Sequence, residues 1–252
     1  MVINFDQTGL NIVPASEWTM DVRGSKQIEI TGLEDKRQIT AVLACSLTGT
    51  LLPLQLIYRG KTPKCHPNFS FPSDWNVTHS ENHWSNVSNM EEYIQTIIVP
   101  YFDAVRKKEG LPSTQPGLVI MDVFRAHTVD TILSELGKHH IRVVYVPANC
   151  TGELQPLDLS GNGEFKAELK NHFINWYAAK ITEAGDEEPD ISLKLSVVKP
   201  LHARWVLAAW EALRDNKDTL LTGWIQSGIK QAFESVTATN EEPQEEIRID
   251  IP

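Results

Sequence analysis

The sequence lacks any long apolar segment and contains few cysteines. No apolar run approaches the roughly 18 residues that a membrane-spanning helix needs, and residues 97–102 (IIVPYF) are typical of the longest. The first twenty residues have no basic start followed by an apolar stretch, so no secretory signal is predicted. The three cysteines, Cys45, Cys65 and Cys150, are an odd number at wide spacings. This pattern argues against a disulfide framework and favours a reducing compartment.

The chain also lacks an excess of basic residues. Its formal net charge is −10, from 23 Lys and Arg against 33 Asp and Glu. Five acids lie in residues 183–190, and five more lie with one arginine in residues 240–252, so the remainder is close to neutral. An acidic chain repels a phosphate backbone at long range, so tight nucleic-acid binding would require local basic patches or bound cations.

The chain is long and apolar enough to fold around a substantial core. It has 252 residues, of which 41% are hydrophobic and 22% are charged, which excludes a disordered polymer or a collagen-like chain. Apolar runs and alternation predict strands at residues 2–6, 25–31, 37–47, 51–58, 117–122 and 141–147. Helical periodicity and caps predict helices at about 89–108, 128–138, 159–181, 197–214 and 219–233.

This order predicts a mixed α/β sheet with an antiparallel start and a parallel continuation, flanked by helices. Pro53 should make its strand an edge or bulged strand. Residues 59–88 lack a clear period and are predicted to form a long ordered loop, after which Ser88 or Asn89 caps a helix. Further helices follow at the C-terminal end.

Three aspartates occupy the ends of predicted elements. Asp6 ends the first strand, Asp122 ends the strand GLVIMD, and Asp158 lies where a loop becomes a helix. Functional groups gather at strand ends near a change of strand order, so we expect these carboxylates to converge. Clustered carboxylates repel one another unless a cation neutralises them, and hard oxygen ligands suit magnesium or manganese. An acid that merely caps a strand or turn is the ordinary alternative.

Sequence motifs that include these aspartates, and others between them, carry a family resemblance. They are NFDQTGL, GLEDKRQIT, LPLQLIYRGKT, VTHSENHWSN, LVIMDVFRAH and VPANCTGELQPLDLSGNGEF. In this order they resemble the catalytic domain of the DDE transposases of the pogo, Tigger and jerky group, within the Tc1–mariner superfamily. The resemblance runs from about residue 3 to 180 and continues weakly through PLHARW and TGWIQSGI.

The resemblance implies a ribonuclease-H-like fold with an Asp-Asp-Asp metal site. By position the acids are Asp6, Asp122 and Asp158, all intact, with 35 residues between the second and the third. It further implies two Mg²⁺ or Mn²⁺ ions, a metal-activated water that cuts one DNA strand, and attack of the freed hydroxyl on target DNA. Nuclear localisation is implied as well, although the sequence contains no clear nuclear signal.

Several other side chains are candidates for supporting roles. His127 could steer a water or the scissile phosphate, or simply cap a helix. Asn162 lies one helical turn after Asp158 and could hold a water of the metal shell, or be a plain surface amide. Arg59, Lys61 and Lys64 form a local basic cluster that could contact DNA phosphates, or be a solvated edge.

A loop of cysteine and histidine has a zinc-like composition. Cys65, His66, His79 and His83 lie within 19 residues, but this stretch lacks helical periodicity and only one cysteine is near. Hydrogen-bonded histidines in an ordered loop are therefore the favoured interpretation. The two acidic segments are predicted to be flexible.

The domain prediction is a catalytic domain at 1–182, an acidic linker at 183–192, a helical extension at 193–236 and an acidic, disordered tail at 237–252. Full-length members of the family carry N-terminal helix-turn-helix domains that read transposon ends. We expect DNA reading here to come from a missing or separate domain.

Three functions remain open at this point. The first is a metal-dependent DNA endonuclease and strand transferase, with DNA as partner, a homo-oligomer as one assembly and no membrane. The second is a domesticated, non-catalytic module that binds nucleic acid or protein, because a fold can outlive its chemistry. The third, cleavage of RNA in RNA–DNA hybrids, follows from fold analogy alone.

Overall fold

The computed structural model describes residues 1–14, 36–123, 130–185, 187 and 189–241, with side chains to residue 235. Its sheet contains six strands. They are β1 (Val2–Asn11), β2 (Gln38–Ser46), β3 (Gln55–Arg59), β4 (Asn76–Ser80), β5 (Gly117–Asp122) and β6 (Ile141–Val146). The helices are α1 (Val87–Tyr93), α2 (Val99–Lys108), α3 (Asp130–Lys138), α4 (Thr151–Leu154), α5 (Asn162–Ala184), α6 (Leu195–Asp215), α7 (Lys217–Gln226) and α8 (Ile229–Glu241).

The strand order is β4-β3-β2-β1-β5-β6. Strands β1, β2 and β3 pair antiparallel, whereas β5 lies parallel to β1, β6 parallel to β5, and β4 parallel to β3. The predicted mixed sheet with an antiparallel start and a parallel continuation is confirmed. The change of strand order falls between β1 and β5, where functional groups were expected.

Helices cover both faces of the sheet. One apolar cluster joins the sheet to α1, α2 and α3, through residues such as Phe5, Tyr93 and Phe102. The other joins it to α5, α6 and α7, through residues such as Phe165, Trp210 and Trp224. Because both faces of β2 are buried, this strand is almost wholly apolar, whereas β1 buries polar side chains, Asn4 and Asp6 among them.

The segment predicted as one loop, residues 59–88, contains regular structure. A short 3₁₀ turn spans Pro63–Cys65, and β4 adds an edge strand beside β3. The prediction failed there because NVTHS carries little apolar signal, and pairing with β3 supplies the stabilisation instead. Pro53 lies before β3, which is paired on both sides, so the edge alternative is wrong. The bulged alternative fits, because the pairing with β2 is interrupted at Pro53 and resumes as a bridge between Cys45 and Leu51 that is shifted by one residue.

Helix starts and ends also differ from their sequence signals. Asn86 caps α1, since the Asn89 amide donates to its side-chain oxygen at 2.9 Å, and the predicted cap at Ser88 or Asn89 is wrong. A π-helical turn at Ile94–Ile98 joins α1 to α2 just before Pro100, which has no amide hydrogen to donate. Gly228, at a φ of 72°, separates α7 from α8.

Some predicted features lie outside the described residues. They include the strand at 25–31 and residues 242–252 of the acidic tail. Helix α8 runs to Glu241, so the first residues of the predicted tail are helical. Within the described residues, no helix combines the length and hydrophobicity needed to cross a bilayer.

Candidate metal and DNA-cleavage site

Asp6 lies near the middle of β1, between β2 and β5, so the prediction that it ends the first strand is wrong. Its partner on β2 is Leu43, and its own exposure is 7%. On the other side, Asn4 pairs with Ile120 of β5, and two residues further along each strand come Asp6 and Asp122. The paired stretch of these strands ends at Asn4 and Ile120, and extending its register by two residues brings Asp6 beside Asp122. The expectation that their strands are adjacent is confirmed.

Asp158 approaches from a single π-helical turn, Leu157–Gly161, named here the Asp158 turn. Asn4, which is fully buried, holds this turn against the sheet. Its side-chain oxygen accepts a hydrogen bond from the Leu157 amide at 3.0 Å, while its amide nitrogen donates to the Ile120 carbonyl at 2.9 Å. One side chain thus joins β1, β5 and the Asp158 turn.

Sequence reasoning did not select Asn4. The available signal was an amide in an otherwise apolar strand, two residues before the strand's acid. A polar side chain at a buried strand position needs hydrogen-bond partners, and here the partners are the elements that carry the other two acids.

Asn162 links two of the carboxylates. Its amide nitrogen donates to Asp6 Oδ2 at 2.5 Å and to Asp158 Oδ1 at 2.9 Å. The side chain therefore lies one turn beyond Asp158 on the same helical face, as the spacing predicted. Its carbonyl oxygen is buried and has no hydrogen-bond partner among the described residues.

The carboxylates influence one another electrostatically. Burial, followed by the charge of Asp158, raises the pKa of Asp6 to about 8, and Asp122 adds to the rise. The hydrogen bond from Asn162 opposes it without cancelling it. Ionising all three carboxylates is therefore unfavourable without a compensating cation, and the donors are hard carboxylate oxygens. Both features fit Mg²⁺ or Mn²⁺.

Helix α7 supports the Asp158 turn from behind. A Cβ atom placed on Gly223 would lie 2.1 Å from the Pro156 carbonyl oxygen, so only glycine permits this approach. Leu157 and Leu220 are buried in the same apolar cluster. The position of Asp158 thus depends on Gly223, which lies more than 60 residues further along the chain.

The three candidate DNA-contacting cations lie apart from the carboxylates. Strand register places Arg59 level with Gln38 and hence with Asn11, five residues beyond Asp6, or about 17 Å along the sheet. Lys61 forms an exposed ion pair with Glu81 at 3.2 Å, and Lys64 is exposed on the 3₁₀ turn.

Arg59 borders a cavity of about 670 Å³. The cationic side chains around it are those of Lys36, Arg37, Arg59 and Lys199. Among the described residues, none of the others that line this cavity is an acid. His127, the remaining supporting candidate, lies outside the described residues.

The structure brings together three of the four residues with zinc-like composition. Ligand atoms of Cys65, His66 and His79 all lie within 4.8 Å of one another. In the described part of the chain this is the one such group, and the three carboxylates are spaced more widely. His83 lies outside the group, and its Nδ1 is 3.4 Å from the Thr40 hydroxyl.

Comparison with known families identifies the class of protein. Residues 36–224 match the family described as DDE superfamily endonuclease, and this match covers three quarters of the chain. The chain belongs to this family. The ribonuclease-H-like fold that the resemblance implied is confirmed by the sheet, in which β1 lies between an antiparallel hairpin and parallel strands.

The relatives belong to the pogo group, which confirms the resemblance seen in the motifs. The chain is 24% identical over 236 residues to "Pogo transposable element with KRAB domain" of both Mus musculus and Homo sapiens. It is 26% identical over 157 residues to the human "Pogo transposable element with ZNF domain". The two KRAB-domain matches cover 92% of this chain and 36% of each relative, so the chain spans about a third of the length of those proteins. The ZNF-domain match covers 62% of this chain and 10% of that protein.

Solved structures show a remote likeness. The chain is similar to a Mos1 mariner paired-end complex with Mn, at a TM-score of 0.45 and 11% identity, covering 86% of this chain and 55% of that chain. It is also similar to the catalytic domain of Mos1 mariner transposase, at a TM-score of 0.39 and 10% identity, covering 86% and 82%. The likeness is too remote for either structure to assign a residue here.

Proposed function

We propose that this chain is a divalent-metal-dependent DNA endonuclease domain of the transposase type, with Asp6, Asp122 and Asp158 as metal ligands. One observation carries the proposal: Asn162 joins Asp6 to Asp158, while Asp122, on the adjacent strand, is near enough for its charge to raise the pKa of Asp6. This proximity of carboxylates that are far apart in the sequence supports a shared metal site. The family match, which includes Asp122 and Asp158, supports the same chemistry.

Mg²⁺ or Mn²⁺, when bound, would supply Lewis-acid activation and stabilise the developing charge of a phosphodiester. The residues of the chain fix the ligands. Strand β1 holds Asp6 rigidly, and Asn162 orients both Asp6 and Asp158 through its amide. The buried Asn162 carbonyl oxygen is available to accept a hydrogen bond from the attacking water and so to orient it.

The proposed reaction is hydrolysis followed by transfer. The oxygen of water bonds to phosphorus while the bond from phosphorus to the 3′ oxygen breaks, and that oxygen takes up a proton. In the transfer step the freed 3′ hydroxyl attacks a phosphodiester of target DNA, loses its proton and displaces another 3′ oxygen. In both steps one phosphorus–oxygen bond forms as another breaks.

DNA is the proposed partner. We place its phosphate backbone at the cavity beside Arg59. Four cationic side chains line that cavity, and its lining in the described part of the chain contains no carboxylate. Phosphates bind such clusters through charge and hydrogen bonds that carry little sequence information. We assign target recognition to a separate DNA-reading domain. Homo-oligomer formation and nuclear localisation stay predictions.

The direct test is nicking of supercoiled plasmid by the purified chain. We expect cleavage with Mg²⁺ or Mn²⁺ and none with a chelator. The variants Asp122→Asn and Asp158→Asn should reduce the rate at least 100-fold, because each removes a ligand. Asp74→Asn, which changes an exposed aspartate in a loop, should cut at the wild-type rate.

Each outcome has a defined meaning. Nicking that survives Asp122→Asn would contradict the proposal. Absence of nicking together with absence of Mg²⁺ or Mn²⁺ binding by calorimetry would favour the non-catalytic module. Faster cleavage of an RNA–DNA hybrid than of duplex DNA would favour ribonuclease activity instead.

A further inference from the structure

We propose that Cys65, His66 and His79 form a structural zinc site, separate from the carboxylates. Their ligand atoms lie within 4.8 Å of one another. In a tetrahedral zinc shell such atoms lie about 3.3–3.6 Å apart, so the group closes by movements within reach of side-chain rotation. Thiolate and imidazole ligands select zinc, whereas the carboxylates suit Mg²⁺ or Mn²⁺.

The hydrogen bonds of the two histidines leave ligand atoms available. His66 donates to the Thr78 backbone carbonyl, and its Nε2 atom is buried without a hydrogen-bond partner among the described residues. His79 Nδ1 is likewise buried without one. A ring nitrogen fixed by a backbone carbonyl, with the opposite nitrogen free, is the usual state of a histidine that binds zinc.

The backbone is arranged to bring Cys65 into this place. The 3₁₀ turn packs the Cys65 side chain against the backbone of Gly60. The contact is so close that a Cβ atom on Gly60 would lie 2.7 Å from the Cys65 sulfur. The His66 ring lies between Tyr58 and His79, with centroids 5.7 and 5.3 Å away. Lys199 of α6 donates to the Cys65 carbonyl at 2.6 Å and closes one side.

The electrostatic surroundings of the group favour neutral imidazole rings, which are the form that binds a metal ion. Burial, followed by the nearby His79, lowers the pKa of His66, which favours the neutral ring that a metal ion binds. Burial raises the pKa of the Cys65 thiol, while Lys199 acts in the opposite direction. Metal binding must therefore release the thiol proton, as it does in structural zinc sites.

Zinc at this place would connect the 3₁₀ turn to the edge strand β4. Three protein ligands leave a fourth position, which we assign to water. Bound zinc would add to the pairing with β3 and to the hydrogen bond that Asn89 of α1 donates to the His79 carbonyl, which together hold this edge. It does not depend on the proposed nuclease function.

The first test uses the unmodified chain. After dialysis, elemental analysis should find one zinc per chain, and Co²⁺ in its place should give a thiolate-to-cobalt charge-transfer band. Zinc should protect Cys65, but not Cys150, from alkylation mapped by mass spectrometry. Absence of both the zinc and the cobalt band would overturn the proposal without any variant having to fold.

Variants then assign the ligands. Cys65→Ser and His79→Gln should each lose at least 90% of the bound zinc, whereas His83→Asn and Cys150→Ser should keep it. Asp122→Asn should also keep it, because that change affects only the carboxylates. Full zinc binding by the double variant Cys65→Ser/His79→Gln would overturn the proposal.

Discussion

At the scale of single residues, Asn4 is the side chain on which the geometry of the carboxylates depends most. It is fully buried and joins β1, β5 and the Asp158 turn through two hydrogen bonds. A buried amide that satisfies two backbone groups is expensive to remove, because both groups are then left without partners.

We expect Asn4→Ala to destabilise the chain by about 2–3 kcal/mol and to slow nicking beyond what the lost stability explains. The physical reason is that the Leu157 amide and the Ile120 carbonyl lose their partner, so Asp158 is no longer held. Thermal unfolding and nicking rates below the melting temperature measure the two effects. Asn171→Ala, on an exposed part of α5, is the control. Wild-type melting of Asn4→Ala would show that Asn4 does not hold the turn.

Asp6 carries a cost in stability that the proposed function explains. Its pKa is raised to about 8 from an ordinary 3.8, first by burial and then by Asp158. The folded state therefore holds the proton more tightly than the unfolded chain. This contribution favours folding below pH 3.8 and is lost as the pH rises towards 8.

We therefore expect Asp6→Asn to be more stable than the wild type in metal-free buffer at pH 7, by about 1–2 kcal/mol. The difference should grow as the pH rises from 4 towards 8. Mg²⁺ should raise the melting temperature of the wild type but not that of the variant. Denaturant titration at several pH values measures this, with Asp74→Asn as control. Equal stabilities across this range would contradict the prediction.

At the scale of elements, contact between α7 and the Asp158 turn limits residue 223 to glycine. We expect Gly223→Ala to cost about 1–3 kcal/mol, because its methyl group would overlap the Pro156 carbonyl. Displacement of the turn should also slow nicking. Gly137→Ala in α3, where nothing lies within 4 Å of the added carbon, is the matched control and should be neutral or slightly stabilising. Equal melting temperatures for the two variants would contradict this account.

Helix α6 is attached to the end of β1 through a buried histidine. His202 donates to the Asn11 carbonyl, and burial lowers its pKa to about 4 from an ordinary 6.5. The folded state thus favours the neutral ring, so its contribution to stability is present above pH 6.5 and is lost as the pH falls towards 4.

Acidification from pH 6.5 to 4 should therefore cost the wild type on the order of 3 kcal/mol through this group. His202→Gln should lower stability at pH 7 and flatten this part of the pH profile. His140→Asn, which changes an exposed histidine, should keep the wild-type slope. An unchanged slope in His202→Gln would show that another group titrates.

At the scale of the whole molecule, the sheet and the C-terminal helices share one core. Trp210 and Trp224 pack with Leu54, and the Trp210 indole donates to the Leu52 carbonyl at 3.0 Å. The predicted boundary near residue 182 would separate these partners, leaving one face of the sheet without most of its cover.

We expect a fragment of residues 1–182 to lack a cooperative thermal transition and to bind a hydrophobic dye, because its sheet would expose apolar surface. A fragment of residues 1–241, which keeps α6 to α8, is the control and should melt cooperatively. A sharp melt of the shorter fragment would show that the domain boundary was predicted correctly.

Much of the architecture could be predicted from local sequence. The apolar runs GLVIMD and IRVVYVP predicted two strands correctly, because a strand that is buried on both faces consists of consecutive apolar residues. Strand β4 could not be predicted, because NVTHS becomes a strand only through pairing with β3. The helix start moved to Asn86 because the backbone geometry there, rather than the residue types alone, decides which side chain caps.

The sequence by itself determined which carboxylates this protein offers, because motifs and apolar runs around Asp6, Asp122 and Asp158 are properties of short segments. Only the tertiary structure decided what surrounds them: Asn4 and Gly223 matter through atoms more than 60 residues away. The same holds for the cysteine and histidines beside β4, which strand pairing brings together. Contacts of this kind arise from packing and strand register, so no local pattern of residues predicts them.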